Sequence, residues 1–362
     1  MNNEANNYFK DLIELQSLIN EIPNNDFSPE DFETYLSEHS EYLQNKRSAL
    51  QLFSSLDIFI SNYPQHSDYP KKLIISPLLH DTLSLFSSSE LYQLFQTYSI
   101  LFLLYRNGYI NINTIIERAS LSSKEFAYFM YEIQESDQQF FSYSIQRLQN
   151  QEFLNEIVKQ KEKHLELRIK GRNHHQIAEI IRNDDIQQFQ ELVSQTNVNL
   201  NSKVPYSFYE DCEFINKKKE MPLLIEFAAF FNSINIFKFL WINGIRGTQT
   251  SLQFAIAGGN YEIIHLFESV YKNKINSMFL ESAIYFNRND IFSYLQDTYE
   301  IQTSIKHFYL AINSYNTEIF VCLLNEAFDK IKKSEFFITI GLIPEFSFPT
   351  TITDLLSYLT FE

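Results

Sequence analysis

Glycine and proline are scarce, at seven and nine among 362 residues. Folds built from strands and tight turns use more of both, so the deficit points to helices joined by short Asn, Asp and Ser turns. Two cysteines, Cys212 and Cys322, supply neither a disulfide framework nor a zinc spacing. The most apolar run, ILFLLY at 100–105, is far shorter than the ~18 residues of a membrane span. The opening MNNEANNYFK lacks the basic and apolar regions of a signal peptide, and no Asn-x-Ser/Thr acceptor occurs. An intracellular, cytoplasmic chain with reduced thiols and no membrane insertion is expected.

Positive charge is also lacking. The net charge is −16, split evenly as −9 over residues 1–170 and −7 over 171–362. Such a field opposes nonspecific nucleic-acid binding, which needs basic patches. Lys217, Lys218 and Lys219 form the densest basic run, and Glu213 and Glu220 flank it as in a solvated loop. Aromatic residues without interleaved bases favour core filling over base stacking.

The usual marks of catalysis are missing. No Gly-x-Ser-x-Gly, His-Glu-x-x-His or dinucleotide fingerprint is present. Gly258-Gly259 has no following Lys, no third glycine and no preceding strand, so a turn is expected there and not a phosphate cradle. His174 and His175 are adjacent and diverge on a helix, so a helix start is expected near them and near Asp184-Asp185. Cys212 lies between Asp211 and Glu213, which oppose a thiolate. Cys322 occupies a core slot, and His265 and His307 read as surface or semi-buried packing residues. No catalytic residue, metal site or cofactor is expected.

What is present is hydrophobic and helical. Hydrophobic residues make up 44% of the chain, including 34 Phe and 22 Tyr, which excludes disorder. Ser28, Pro29 and Asp31 mark a helix start. Leu91, Leu94, Phe95, Tyr98, Leu101 and Phe102 share a helical spacing that stops at Asn107-Gly108. Ser122 or Ser123 opens another helix, and a charged helix ends at Gly171. A boundary follows near Arg172.

Beyond it the sequence repeats. Ala228, Ala255, Ala283 and Ala311 recur at spacings of 27, 28 and 28, and Ala178 begins a weaker fifth copy 50 residues ahead of Ala228. Eight residues after each Ala comes an apolar block. The blocks are Ile236/Phe237/Phe239/Leu240, Ile263/Ile264/Leu266/Phe267, Ile291/Phe292/Tyr294/Leu295 and Ile319/Phe320/Cys322/Leu323. Asn235, Glu262, Asp290 or Glu318 precedes each block, suiting a helix N-terminus. Each unit is a small-residue helix, a tight turn and an apolar helix, and it needs neighbours to bury its faces.

These units resemble ankyrin repeats over roughly residues 174–325. Ala228-Ala229 match the alanine pair, Gly244 the glycine after the second helix, and Gly259 the glycine between helices. The opening motif is altered to Leu224-Ile225-Glu226. The helix-rich first half and the Asn/Ile/Phe/Tyr bias resemble the expanded ankyrin-type family of the parasitic protist Trichomonas, in which a domain of unknown function runs into degenerate ankyrin repeats. The implied fold is all-α. It comprises a helical region over 1–170, an α-solenoid over 174–325 and a capping segment over 326–362. Against the 33-residue family period, the fingers between units are clipped, while an insertion of about 17 residues separates the first two units. Its aromatic residues predict an ordered loop.

The resemblance implies a scaffold that binds a protein partner on its concave face, without catalysis. Carried over, that face comprises Phe230, Ala257, Tyr285 and Asn313, with Arg246, Thr248, Gln249, Lys274 and Asn276 at the tips. Tyr206 and Tyr209 in the insertion are further candidates, and Gly244, Gly258 and Gly259 are structural turns. End-to-end self-assembly, or an enzyme site within residues 1–170, stands as the alternative.

Overall fold

The computed structural model describes residues 9–147, 157 and 160–330. The regular elements among them are helices, with one isolated antiparallel bridge between Lys203 and Leu223. The fold is all-α. The segment expected to cap the array lies outside the described residues from 331 onward, as does the start of the charged helix before Gly171.

Among the described residues, thirteen α-helices precede Gly171. They are α1 (Lys10–Asn20), α2 (Pro29–Glu38), α3 (Glu41–Gln44), α4 (Lys46–Asn62), α5 (Asp68–Ile74), α6 (His80–Leu83), α7 (Ser88–Leu94), α8 (Tyr98–Arg106), α9 (Ile112–Ala119), α10 (Ser123–Tyr128), α11 (Met130–Ser136), α12 (Gln138–Arg147) and α13 (Lys161–Lys170). Short polar side chains start many of them by satisfying first-turn N–H groups. Ser28 accepts from Asp31 N at 3.2 Å, Asn111 from Thr114 N at 2.9 Å and Ser122 from Glu125 N at 3.3 Å. Gly171 ends α13 with φ 62°.

The periodic stretch from Leu91 to Phe102 is two helices, α7 and α8, where the spacing predicts continuity. Asp57 on α4 causes the break. Its buried carboxylate accepts from Gln96 N at 2.9 Å and Thr97 N at 3.2 Å, replacing the helical acceptors those amides would otherwise need. Burial pushes the Asp57 carboxyl up to about 6 against those hydrogen bonds. Apolar spacing on either side carries no trace of a partner some 40 residues away.

Five helix pairs follow: α14 (Gln176–Arg182) with α15 (Ile186–Thr196), α16 (Leu224–Phe230) with α17 (Ile234–Ile242), α18 (Ser251–Gly258) with α19 (Tyr261–Tyr271), α20 (Ser277–Tyr285) with α21 (Asn289–Tyr299), and α22 (Ile305–Asn313) with α23 (Thr317–Lys330). Each first helix packs on the next, from α14 to α16, α18, α20 and α22. Ala178, Ala228, Ala255, Ala283 and Ala311 are all buried where these helices meet.

The turn within every pair holds one residue at positive φ: Asp184 (50°), Asn232 (56°), Gly259 (79°), Asn287 (50°) and Tyr315 (51°). The next residue reaches back to the preceding unit. Ser233 Oγ donates to Ile181 O, Arg288 Nη2 to Ala257 O at 2.8 Å, and Asn316 Nδ2 to Ile284 O at 3.1 Å. Asn260 Nδ2 meets Asn232 Oδ1, and the Asp184 carboxylate accepts from Asn235 N and Ile236 N. Carbonyls left open at the ends of α14, α18 and α20 are thus satisfied by the following unit. Gly258 and Gly259 have separate reasons. A Cβ on Gly258 would lie 2.2 Å from Ala229 O, so only glycine lets α18 approach α16. Gly259 takes the left-handed position, which asparagine fills in two sister units.

Glu226 replaces the missing opening motif. It accepts from Leu223 N at 2.8 Å and from Ser251 Oγ at 2.6 Å, capping α16 and gripping the start of α18. In the second helices the first, second and fourth apolar positions of each block are buried. Phe239, Leu266 and Tyr294 at the third position are half-buried, and Cys322 there is exposed, contrary to the core slot expected for it. At about 100° per residue, the third position falls at the margin of the stripe. His265 is exposed and paired with Glu268 at 2.7 Å, whereas His307 is buried because its Nδ1 accepts from Ser304 N at 2.9 Å.

Candidate functional site

The first helices do not present an open face. Phe230 is 3% exposed and Ala257 2%, so neither side chain is free to meet a partner. Phe214 of the insertion lies over Phe230 and its neighbours. Its ring lies 6.1 Å from Phe230, 4.8 Å from Phe254 and 4.9 Å from Phe286. The first-half helices complete the cover. Asn62 Nδ2 donates to Tyr285 O at 2.9 Å, and the Tyr63 hydroxyl to Phe286 O. Arg288 lies 4.9 Å from the Tyr63 ring while bonding Ala257 O. At the last pair Gln16 Oε1 accepts from Thr317 N at 3.1 Å, and Phe9 meets Phe320 edge-on. Tyr285 and Asn313 keep exposed side chains at the margin of this junction.

The insertion is ordered, as its aromatics predict, and consecutive acids clamp it between both halves. Asp211 accepts from Ser99 N at 3.3 Å and from the Ser99 hydroxyl, and sits 3.6 Å from Lys71 Nζ. Glu210 accepts from Asn173 N at 2.8 Å and meets Arg182 at 3.4 Å. Burial raises both carboxyls, with Lys71 and Arg182 opposing it. Burial is also the main reason the Cys212 thiol is pushed up, followed by the charge of Glu210. The boundary near Arg172 is therefore crossed by one buried ion pair, Lys71–Asp211. The sequence holds a hint of this clamp, since EDCE in an aromatic loop is an odd place for three acids unless cations meet them.

At the hairpins between units the expected tip residues divide into two groups. Gln249 Nε2 donates to Lys274 O at 3.0 Å, and Asn276 caps α20 through Met278 N at 3.0 Å, so both amides serve the turns. Thr248 is exposed, with its hydroxyl 2.8 Å from that of Thr250. Arg246 and Lys274 are exposed cations resting on aromatic faces, at 4.4 Å from the Trp241 ring and 5.8 Å from the Tyr271 ring. Gly244, at φ 86°, ends α17 and lets the chain turn. Ile242 beside it is 82% exposed, a residue that helical spacing alone does not single out. Segments 242–250 and 271–277 carry Arg246, Lys272 and Lys274 and no acid.

Tyr206 and Tyr209 part company. Tyr206 is exposed, while Tyr209 is buried with its hydroxyl 2.8 Å from His164 Nδ1. Both border a cavity of about 470 Å³ between α13 and the insertion, shared with Lys163, His174, His175 and Lys218. His164 Nε2 faces Tyr128 O at 3.2 Å, so its Nδ1 accepts from Tyr209. Burial and Arg168 lower His164 to about 3, and burial with His175 and Lys163 lowers His174 to about 4. The His174 and His175 rings are stacked at 4.7 Å, and among the described residues no three His, Cys, Asp or Glu side chains are grouped to hold a metal ion. Nor, among them, is any helix long and apolar enough to cross a membrane.

Residues 243–325 match the model of a domain of unknown function, DUF3447, a domain found alongside ankyrin repeats. The match covers the later helix pairs, not the helices ahead of the repeats where the resemblance puts such a domain. No curated protein and no solved structure matches the chain.

Proposed function

We propose that the chain is a non-catalytic protein-interaction module, its five helix pairs forming an ankyrin-like solenoid whose partner docks on the hairpin tips. One observation carries this reading: Ile242, Arg246, Lys272 and Lys274 are exposed on two hairpin segments that carry no acid of their own and are joined from Gln249 to Lys274 O, on a chain of net charge −16. Cations beside an exposed aliphatic residue suit an acidic, partly apolar segment of another protein. Opposite charge speeds encounter, and apolar contact with arginine supplies affinity. The first-helix face expected to bind contributes only its margin, Tyr285 and Asn313, because Phe214 and the first-half helices cover Phe230 and Ala257. Arg246→Glu with Lys274→Glu should abolish capture of acidic partners while the far-UV spectrum and melting temperature stay unchanged. Replacing Lys203, exposed elsewhere, is the control. An unchanged set of captured proteins after the double reversal would overturn the tip assignment.

A further inference from the structure

The cavity between α13 and the insertion has a lining unlike the rest of the molecule. In a chain with 45 acids and 29 bases, none of its described lining residues is a carboxylate, while Lys163, Lys218, His164, His174 and His175 all border it. Its volume, about 470 Å³, falls in the usual range for small-molecule sites. Apolar body and polar edge are both present. Phe208 and Tyr206 offer ring faces, and Lys218 Nζ lies 5.9 Å from the Tyr206 ring.

The polar groups are already oriented. His175 Nε2 lies 3.0 Å from Tyr206 O, an acceptor, so that nitrogen carries a proton. Tyr209 spends its proton on His164, as that ring's other nitrogen faces a carbonyl. His174 and His164 are neutral at pH 7 because burial and nearby cations depress them. The permanent full charges at its rim are the two exposed ammonium groups, Lys163 and Lys218, each able to swing toward a ligand over several rotatable bonds.

We propose that this cavity binds a small organic anion, with its carboxylate or phosphate held by Lys163 and Lys218 and its flat body laid against Tyr206 and Phe208. The site is independent of the hairpin tips. It joins the last helix of the first half to the insertion, so an occupant would touch both.

The test is titration of the full chain with phenyl phosphate, followed by calorimetry and by the imidazole NMR signals of His174 and His175. Binding is expected with a dissociation constant of about 1 mM or tighter, weakening as salt is added. Phenol, which lacks the charge, and inorganic phosphate, which lacks the ring, should each bind at least about tenfold more weakly. Lys163→Met with Lys218→Met should weaken phenyl phosphate by about tenfold or more while the melting temperature is kept. Tyr206→Ala, also at an exposed residue, should weaken it without altering the response to inorganic phosphate. Absence of binding up to about 10 mM would overturn the proposal. So would affinity unchanged in the double lysine variant, or phenol binding as well as phenyl phosphate.

Discussion

The two halves solve the same problem, ending and joining helices, by different means. In the helix pairs every turn has one left-handed residue, and in three of them the next residue satisfies a carbonyl of the unit before it. The bonds are local and recur with the sequence period. In the first half, caps are local but the decisive polar contacts are not: Asp57 stops a helix 40 residues on, and Arg168 ties α13 to α11. A periodic region therefore tolerates change at one turn, since neighbouring turns are intact. The first half instead concentrates its polar interactions in a few buried side chains.

The largest expected effect lies there. Arg168 is 1% exposed, pairs bidentately with Glu132 at 2.8 and 2.9 Å, donates to Tyr128 O and stacks 3.8 Å from the Phe102 ring. Removing one member of a buried pair costs about 3–5 kcal/mol, so Arg168→Ala should lower the urea midpoint sharply. The equivalent loss in the helix pairs, Lys306→Ala at an ion pair whose lysine is exposed, should cost under about 1 kcal/mol. Equal costs would remove the contrast between the halves.

Within the repeats the glycine pair sharpens the comparison. Gly258→Ala forces α18 from α16, because the new Cβ meets backbone at 2.2 Å. A loss of about 1–3 kcal/mol is expected from such overpacking. Gly259→Asn places a side chain against the movable Arg288 guanidinium, in a conformation asparagine already adopts at 232 and 287. That variant should lose less than about 1 kcal/mol. Thermal melts of the two proteins check the order, and a reversed order would mean that φ, not helix approach, dominates this turn.

Acidity acts more gently than either substitution. Asp57, raised to about 6, stabilises fully below its unfolded value near 4 and loses that contribution as pH rises through 6. His164 and His174, lowered to about 3 and about 4, act oppositely: their contribution is complete above about 6.5 and is lost as pH falls. From pH 6 to about pH 4.5 the Asp57 term thus offsets part of the histidine loss. Asp57→Asn removes the offset, and stability should then fall more steeply on acidification by about 1.4 kcal/mol per pH unit. Parallel pH profiles for the two proteins would exclude a raised Asp57.

The differing legibility of the halves follows from the same physics. Alanine spacing and apolar blocks carry the helix pairs because each contact recurs one unit away. Ser28 and Ser122 are readable because a cap is a local hydrogen bond. The Asp57 break, the Glu226 grip and the Glu210-Asp211 clamp depend on partners distant in sequence, and composition gives no register for them. The covered first-helix face was invisible for a related reason: Phe214 lies in an insertion that no other unit has. Of the site residues, Arg246 and Lys274 are exposed where the repeat pattern puts them, while Phe230 and Ala257 carry the right register on a face already filled from within the chain.

The most direct measurement sets the tips against that face in one capture experiment, with Arg246→Glu/Lys274→Glu and Tyr285→Asp/Asn313→Asp proteins compared at equal folded concentration. Loss of salt-sensitive partners with the first pair, and their retention with the second, is the expected result. Retention with the first pair and loss with the second would contradict docking at the tips.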